Sequence, residues 1–417
     1  MAARRRAYEG LGRVAVTAMH DDVETAEQRS SWTELDLGAL RRNTRLVLDR
    51  VGAAVLIASV KANAYGHGVE ACAHVLEQEG AGAMATASLD EAIRLRRAGI
   101  EMPLILYASE TPLRVTELIA HRVSPTVCSV SEAASISDEA ESEVSVFVKL
   151  DAGLGRLGVP LDEAVATVVR MAALPRIRID GIYSHLPFTS DDGRTWAIEC
   201  GRKFVDVVRT IESKGISVQV VQLLSSSGVI AGLSTEGTNA VCVGHALYGL
   251  PAVALADGAD FSGFQPVFHA LKARLLHVAR HPRTRSAGSG GDRTYAAGTV
   301  TGVVPVGVCH GFRAKDLSKA AVLVGGRRAP IVRISLANMT VDLTQVGDVN
   351  VGDEVVLIGT QGPQCLRLDN VAESLGTSVL ELLATLNDRF PRIYSDDESS
   401  IETTALRLER TDRTSGY

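Results

Sequence analysis

The chain contains no stretch of eighteen consecutive apolar residues, which argues against a membrane-spanning helix. Positive charge is not in excess either: 43 Lys and Arg stand against 49 Asp and Glu, for a formal net charge of −6. A nucleic-acid or acidic-membrane partner is therefore not expected. Six cysteines, Cys72, Cys128, Cys200, Cys242, Cys309 and Cys365, are scattered with no CxxC pair among them. Neither a zinc site nor a redox dithiol is expected, and no metal is assigned. Arg4, Arg5 and Arg6 are followed by no apolar h-region, so no secretory leader is read there and a cytoplasmic protein with reduced thiols is the expectation. No GxGxxG follows the first strand of the apolar series, and the usual mark of an open dinucleotide-binding sheet is thus missing.

What is present is a soluble globular composition, 46% hydrophobic and 22% charged, over 417 residues, enough for two domains. Residues 1–30 show no sustained period and read as a loosely packed arm. From residue 31 to 264 apolar runs (AAVLIASV, GAMATAS, PLILYA, SPTVC, VSVFVKL, IDGIYSH, VQVVQLLSS, NAVCVG) alternate with amphipathic segments such as SLDEAIRLRRAG and DEAVATVVRMAAL. Eight such strands with intervening helices predict a closed TIM-type (β/α)8 barrel. From 265 to 394 the helical pattern nearly disappears, and short β-type runs separated by glycine turns predict a mostly β domain. Charged residues resume at 395, so 395–417 reads as a tail.

The stretch VKANAYGHG, residues 60–68, ends an apolar run in one lysine followed by glycines. A buried parallel strand would deliver Lys61 to its carboxyl end, where barrels keep their chemistry. KLDAGLGRLGV (149–159) brings Arg156 to the same end, YSHL brings His185, LLSSSG offers Ser225 to Ser227, and VGHALYGL offers the amides of Gly244 and His245. A lysine, an arginine for a carboxylate, a histidine and an anion-binding turn suit a phosphorylated aldehyde cofactor and an amino acid. Taken singly, Tyr295 also reads as a packed aromatic, His185 as a core histidine and Ser226 as turn chemistry.

In this order and over roughly residues 32–394, VKANAYGHG, SLDEA, KLDAGLGRLGV, YSHL, VGHALYGL and a later TY resemble the alanine racemases, fold-type III pyridoxal-phosphate enzymes. The resemblance implies pyridoxal 5'-phosphate held covalently by Lys61, which also serves as one of two catalytic bases, with Tyr295 as the other. In the family that tyrosine comes from the second subunit, so a homodimer with Tyr295 contributed across the interface is implied. Arg156 matches the arginine near the cofactor's phenolic oxygen and the substrate carboxylate, and Lys149 the lysine that is often carbamylated. Tyr65, Ser226, Gly244 and His245 match phosphate ligands, and His185 matches the ring bonded to the tyrosine base.

The sequence departs from the family at defined places. The arginine facing the pyridine nitrogen is here Cys242; GYADG becomes GVCHG, with Val308 and His310; the CMD stretch at the substrate end becomes Ser335, Leu336 and Ala337; and a late phosphate-binding tyrosine becomes Leu380. Both bases remain. The leading reading is an amino-acid racemase acting on alanine or another small amino acid. A fold-type III lyase or decarboxylase, and a non-catalytic cofactor-binding paralogue, stand as alternatives.

Overall fold

The computed structural model of the chain describes residues 29–396 except 108–110, 234–235, 251–258, 289–290 and 315. The expected arm, apart from its last two residues, and the expected tail beyond residue 396 lie outside the described residues. After β1 (Ser31–Asp36) come β2 (Val55–Ser59), β3 (Ala83–Thr86), β4 (Leu104–Leu106), β5 (Val123–Val127) and β6 (Val144–Asp151). They are followed by the short β7 (Val159–Pro160), then β8 (Ile177–Tyr183), β9 (Val220–Leu224) and β10 (Ala240–Val243). All eight barrel strands pair in parallel, in the order β2-β3-β4-β5-β6-β8-β9-β10, and β10 returns to β2. The barrel is closed, as the alternation of strand and helix predicts. Its strands read as continuous apolar runs because helices cover their outer face while side chains fill the interior.

Polar residues at strand ends start the covering helices. Asp36, Ser88, Ser129 and Ser190 each accept a hydrogen bond from a backbone amide in the first turn of Leu37–Val51, Leu89–Arg97, Val130–Glu139 and Asp191–Glu212, respectively. Each of these caps satisfies one donor that a helix start leaves without a partner.

Strand β1 was read with the barrel, but its pairing is elsewhere. It runs antiparallel to β11 (Phe268–Arg274) and parallel to Arg392–Ser395, inside the second sheet. Closure of β2 on β10 and of β5 on β6 leaves the barrel no free edge, whereas β11 offers one. The second domain carries antiparallel strands from Phe268 to Gln361. Within this mostly β domain stand two short helices, Leu368–Leu375 and Val379–Leu386. Both are amphipathic, burying Val371, Ala372 and Leu375 in one and Leu382, Leu383 and Leu386 in the other.

Candidate functional site

Lys61 opens a five-residue helical turn, Lys61–Tyr65, immediately beyond β2. Ala62, Asn63, Ala64 and Tyr65 have φ of 54°, 54°, 53° and 54°, so the turn is left-handed although it holds no glycine. That conformation costs an L-residue about 1–2 kcal/mol, and neighbours must over-determine it. The Asn63 amide donates to Glu91 Oε1 at 2.6 Å, the Asn63 side-chain amide donates to Asp388 Oδ1 at 2.6 Å, and Val69 N donates to Asn63 Oδ1 at 2.7 Å. Glu91, from the SLDEA stretch, also accepts from the Thr86 hydroxyl. From the second domain, Arg392 donates to Gly66 O at 3.3 Å and pairs with Asp388, while the Tyr394 hydroxyl donates to His67 O at 3.0 Å. Gly68 has to be glycine: its φ is +95°, and a Cβ there would stand 2.0 Å from the Tyr394 hydroxyl oxygen.

A cavity of about 330 Å³ opens at the carboxyl ends of the barrel strands. Lys61, Tyr65, Lys149, Arg156, His185, Ser226, Cys242, Gly244 and His245 all line it, so nine residues singled out along the sequence meet in one place. At one end the Ser226 hydroxyl accepts from the amides of Gly244 at 3.2 Å and Ala246 at 3.3 Å. Tyr65 approaches the same turn. A Cβ on Gly244 would lie 2.3 Å from the Tyr65 hydroxyl oxygen, which bonds to Ser59 Oγ at 3.3 Å. Burial pushes the Tyr65 phenol up to about 12, so it is neutral near pH 7.

Lys149 is only 4% exposed, with its ammonium nitrogen 5.7 Å from the Tyr183 ring centre. Burial first, and then Arg156, hold its pKa below the usual lysine range. His185 and His245 are both lowered to about 4, by burial and then by the charge of Lys61, and both are uncharged at neutral pH. Elsewhere on the lining, burial raises the Cys242 thiol to about 11. Tyr107 stacks on Tyr183 with ring centres 4.5 Å apart and donates to Gln222 Oε1 at 3.3 Å. Cys242, Tyr107, Tyr183 and Gln222 thus contribute a thiol, two phenols and an amide to the lining, with the Lys149 ammonium against the Tyr183 ring.

Tyr107, Gln222, Glu91 and Asn63 also build the site, with no spacing in the sequence to mark them. The last two lie in stretches singled out along the sequence, SLDEA and VKANAYGHG.

Tyr295 and Leu336 do not line the cavity of their own chain. Tyr295 ends the strand Arg293–Tyr295, paired with Arg285–Ala287. Leu336 is 73% exposed. Its carbonyl accepts from Cys309 N at 2.8 Å, and that of Ser335 from Val308 N at 3.0 Å. The two altered stretches, GVCHG and Ser335 to Ala337, are therefore in contact with one another.

A closed parallel barrel that gathers a lysine, further cations and an amide-rich turn at its strand ends, with a β domain gripping the lysine turn, defines a lysine-centred barrel enzyme. Residues 35–252 match the family model "Alanine racemase, N-terminal domain" and residues 268–394 match "Alanine racemase, C-terminal domain". The chain belongs to the alanine racemase family and is an amino-acid racemase. It is similar to the alanine racemase of Clostridium kluyveri, at 30% identity over 88% of this chain and 94% of that protein. With that of Halothermothrix orenii it shares 32% identity over 88% and 97%. Among solved structures it resembles alanine racemase from Bacillus anthracis with bound L-Ala-P, with a TM-score of 0.81 at 26% identity, covering 90% of this chain and 98% of that one.

Proposed function

We propose that the protein is a pyridoxal-phosphate-dependent racemase of alanine or another small amino acid, working as a cytoplasmic homodimer by a two-base mechanism. The observation that carries this reading is the charge of the cavity: Lys61, Lys149 and Arg156 line it, and no carboxylate does among the described residues. A phosphorylated aldehyde fits that donor set. Lys61 supplies the amine for the carbonyl, and Tyr65, Ser226 and the amides of Gly244 and His245 supply donors for the phosphate, in a turn too tight for a Cβ at Gly244.

When bound, the cofactor supplies an electron sink for the negative charge left at Cα. Lys61 takes or returns the Cα proton on one face, and Tyr295 of the partner subunit does so on the other. Arg156 holds the substrate carboxylate, and Leu336 lines the substrate entrance from the second domain. Lys149, whose pKa burial lowers, is the lysine that as a carbamate would orient Arg156. His185, neutral, accepts or donates a hydrogen bond to the tyrosine base.

A second reading, a lyase or decarboxylase on the same cofactor, is favoured by the thiol of Cys242, which stands where the family's arginine would place a fixed cation. One experiment separates the two. The purified protein is examined for visible absorption, and Cα deuterium exchange and products are followed over a panel of amino acids. Inversion with exchange is expected, and a decarboxylated product without inversion would replace the racemase reading. Lys61→Ala should lose the visible band and lower turnover by roughly 1,000-fold or more; an unchanged spectrum would end the assignment of the cofactor to Lys61.

A further inference from the structure

Arg156 stands on the loop between β6 and β7, and no hydrogen bond or ion pair among the described residues holds its guanidinium. Where that group sits is decided by the loop backbone. The chain leaves β6 at Asp151 and comes back onto its own root, with Val159 pairing beside Leu150 and Pro160 beside Asp151. The root is tied by Ser184, the neighbour of His185, whose buried hydroxyl donates to Leu150 O at 2.8 Å and accepts from Ala152 N at 3.4 Å. Beyond Ala152 one side chain organises the loop. Asp151 Oδ1 accepts from Gly153 N at 3.0 Å and from Gly155 N at 3.1 Å. These two glycines have φ of 135° and 69°, and glycine gives up more conformational freedom on ordering than any other residue. The segment DAGLGR therefore does not hold this path by its backbone alone. Burial acts to raise the Asp151 carboxyl, but the amides of Gly153, Gly155 and Leu154, and then the charge of Lys149, keep it below the usual aspartate range. The acceptor is ionised at neutral pH, and its bonds to the loop are of the stronger, charge-assisted kind. Asp151 does not itself line the cavity.

We infer that Asp151 is a positioning residue for Arg156, its carboxylate gathering the loop amides so that the guanidinium meets the substrate carboxylate at a fixed place. This inference rests on the reading of Arg156 as the group that holds that carboxylate. A paired guanidinium and carboxylate depend on their mutual placement, and a shift of about 1 Å in a group that orients substrate costs up to about 100-fold. A loosened loop spreads Arg156 over many positions and leaves the turn at Ser226 and Gly244 as it was.

The test uses holoenzyme carrying Arg156→Gln, Asp151→Ala, Asp151→Asn, or Arg156→Gln together with Asp151→Ala. Binding of propanoate, which has alanine's carboxylate and no amine, is measured by calorimetry, and retention of pyridoxal phosphate by dialysis. Arg156→Gln should weaken propanoate by roughly 10-fold or more. Asp151→Ala should weaken it by roughly 10-fold while retaining the cofactor as the wild type does. For the amino acid turned over fastest, the loss should fall on KM more than on kcat. Asp151→Asn keeps a neutral acceptor and should lie between Asp151→Ala and the wild type. In the double variant Asp151→Ala should add less than about twofold to the effect of Arg156→Gln, because both act through one guanidinium.

Propanoate bound as tightly by Asp151→Ala as by the wild type, parallel loss of propanoate and pyridoxal phosphate, or a full further loss in the double variant overturns the inference. Should Asp151→Ala not fold, Asp151→Asn decides: weaker propanoate with the cofactor retained supports the positioning role, and unchanged propanoate overturns it. Weaker propanoate in Arg156→Gln beside unchanged propanoate in Asp151→Ala sinks the role of Asp151 alone. Unchanged propanoate in Arg156→Gln sinks the carboxylate reading, and the positioning role with it.

Discussion

His67, in the same octet as Lys61, is 0% exposed, with Nδ1 2.8 Å from Ala64 O and Nε2 without a partner. Burial lowers it to about 4, so it folds as the neutral ring with the proton on Nδ1. Its folded pKa is depressed, and the unfolded chain takes up a proton near pH 6.5 that the folded chain refuses until about pH 4. Above that window His67 adds no pH dependence. Within it stability falls as pH falls, by about 3 kcal/mol in total for a fully buried ring. Denaturant unfolding at several pH values should show a shallower slope between pH 6.5 and 4 for His67→Gln than for the wild type; equal slopes would mean that His67 is protonated in the fold. At Gly244 the constraint is steric. The Tyr65 ring that a new Cβ would strike is packed against His245 and Tyr248, at ring-centre distances of 5.2 and 5.1 Å. Gly244→Ala should cost about 1–3 kcal/mol of stability and weaken cofactor binding, read by thermal unfolding and by titration with pyridoxal phosphate. A variant that binds as tightly as the wild type would show that the turn has room.

On the Lys61–Tyr65 turn, Ala62 has an exposed side chain and a φ of 54°, so Ala62→Gly removes about 1–2 kcal/mol of strain while adding about 0.5–1 kcal/mol of unfolded-state freedom. The variant should be equally stable or more stable by up to about 1.5 kcal/mol, yet turn over more slowly, because the backbone beside Lys61 is no longer confined. Loss of stability in urea unfolding would show that the turn is unstrained. In ANAY only Asn63 hints at this conformation, since left-handed residues are normally glycine or asparagine. The eight barrel strands were legible because burial on both faces leaves unbroken apolar runs. The helices Leu368–Leu375 and Val379–Leu386 were not, because two turns give too little sequence for a 3.6-residue period to stand out. Of the cavity, the residues in glycine-bounded motifs were found, whereas Tyr107 and Gln222 stand on or beside strands where an isolated tyrosine or glutamine has no spacing to mark it. The partner of β1 was hidden too, since periodicity marks a strand and does not say which distant strand it joins.

In the whole molecule, the proposed reading draws the two bases from different subunits. Lys61→Ala and Tyr295→Phe homodimers should each be nearly inactive, yet unfolding and refolding them together should restore roughly a quarter of wild-type turnover. Half of the dimers are then mixed, and each of these has one intact site. No recovery on mixing would place Tyr295 in the site of its own chain, or in none. The grip of the second domain on the lysine turn has a further consequence, in time. Asn63 is made 325 residues before Asp388, and His67 is made 327 residues before Tyr394. At synthesis rates of about 5–20 residues per second, Lys61 waits on the order of 15 to 65 s for the groups that hold its turn. A nascent chain should hold a barrel without a set lysine until Asp388 and Tyr394 have been made.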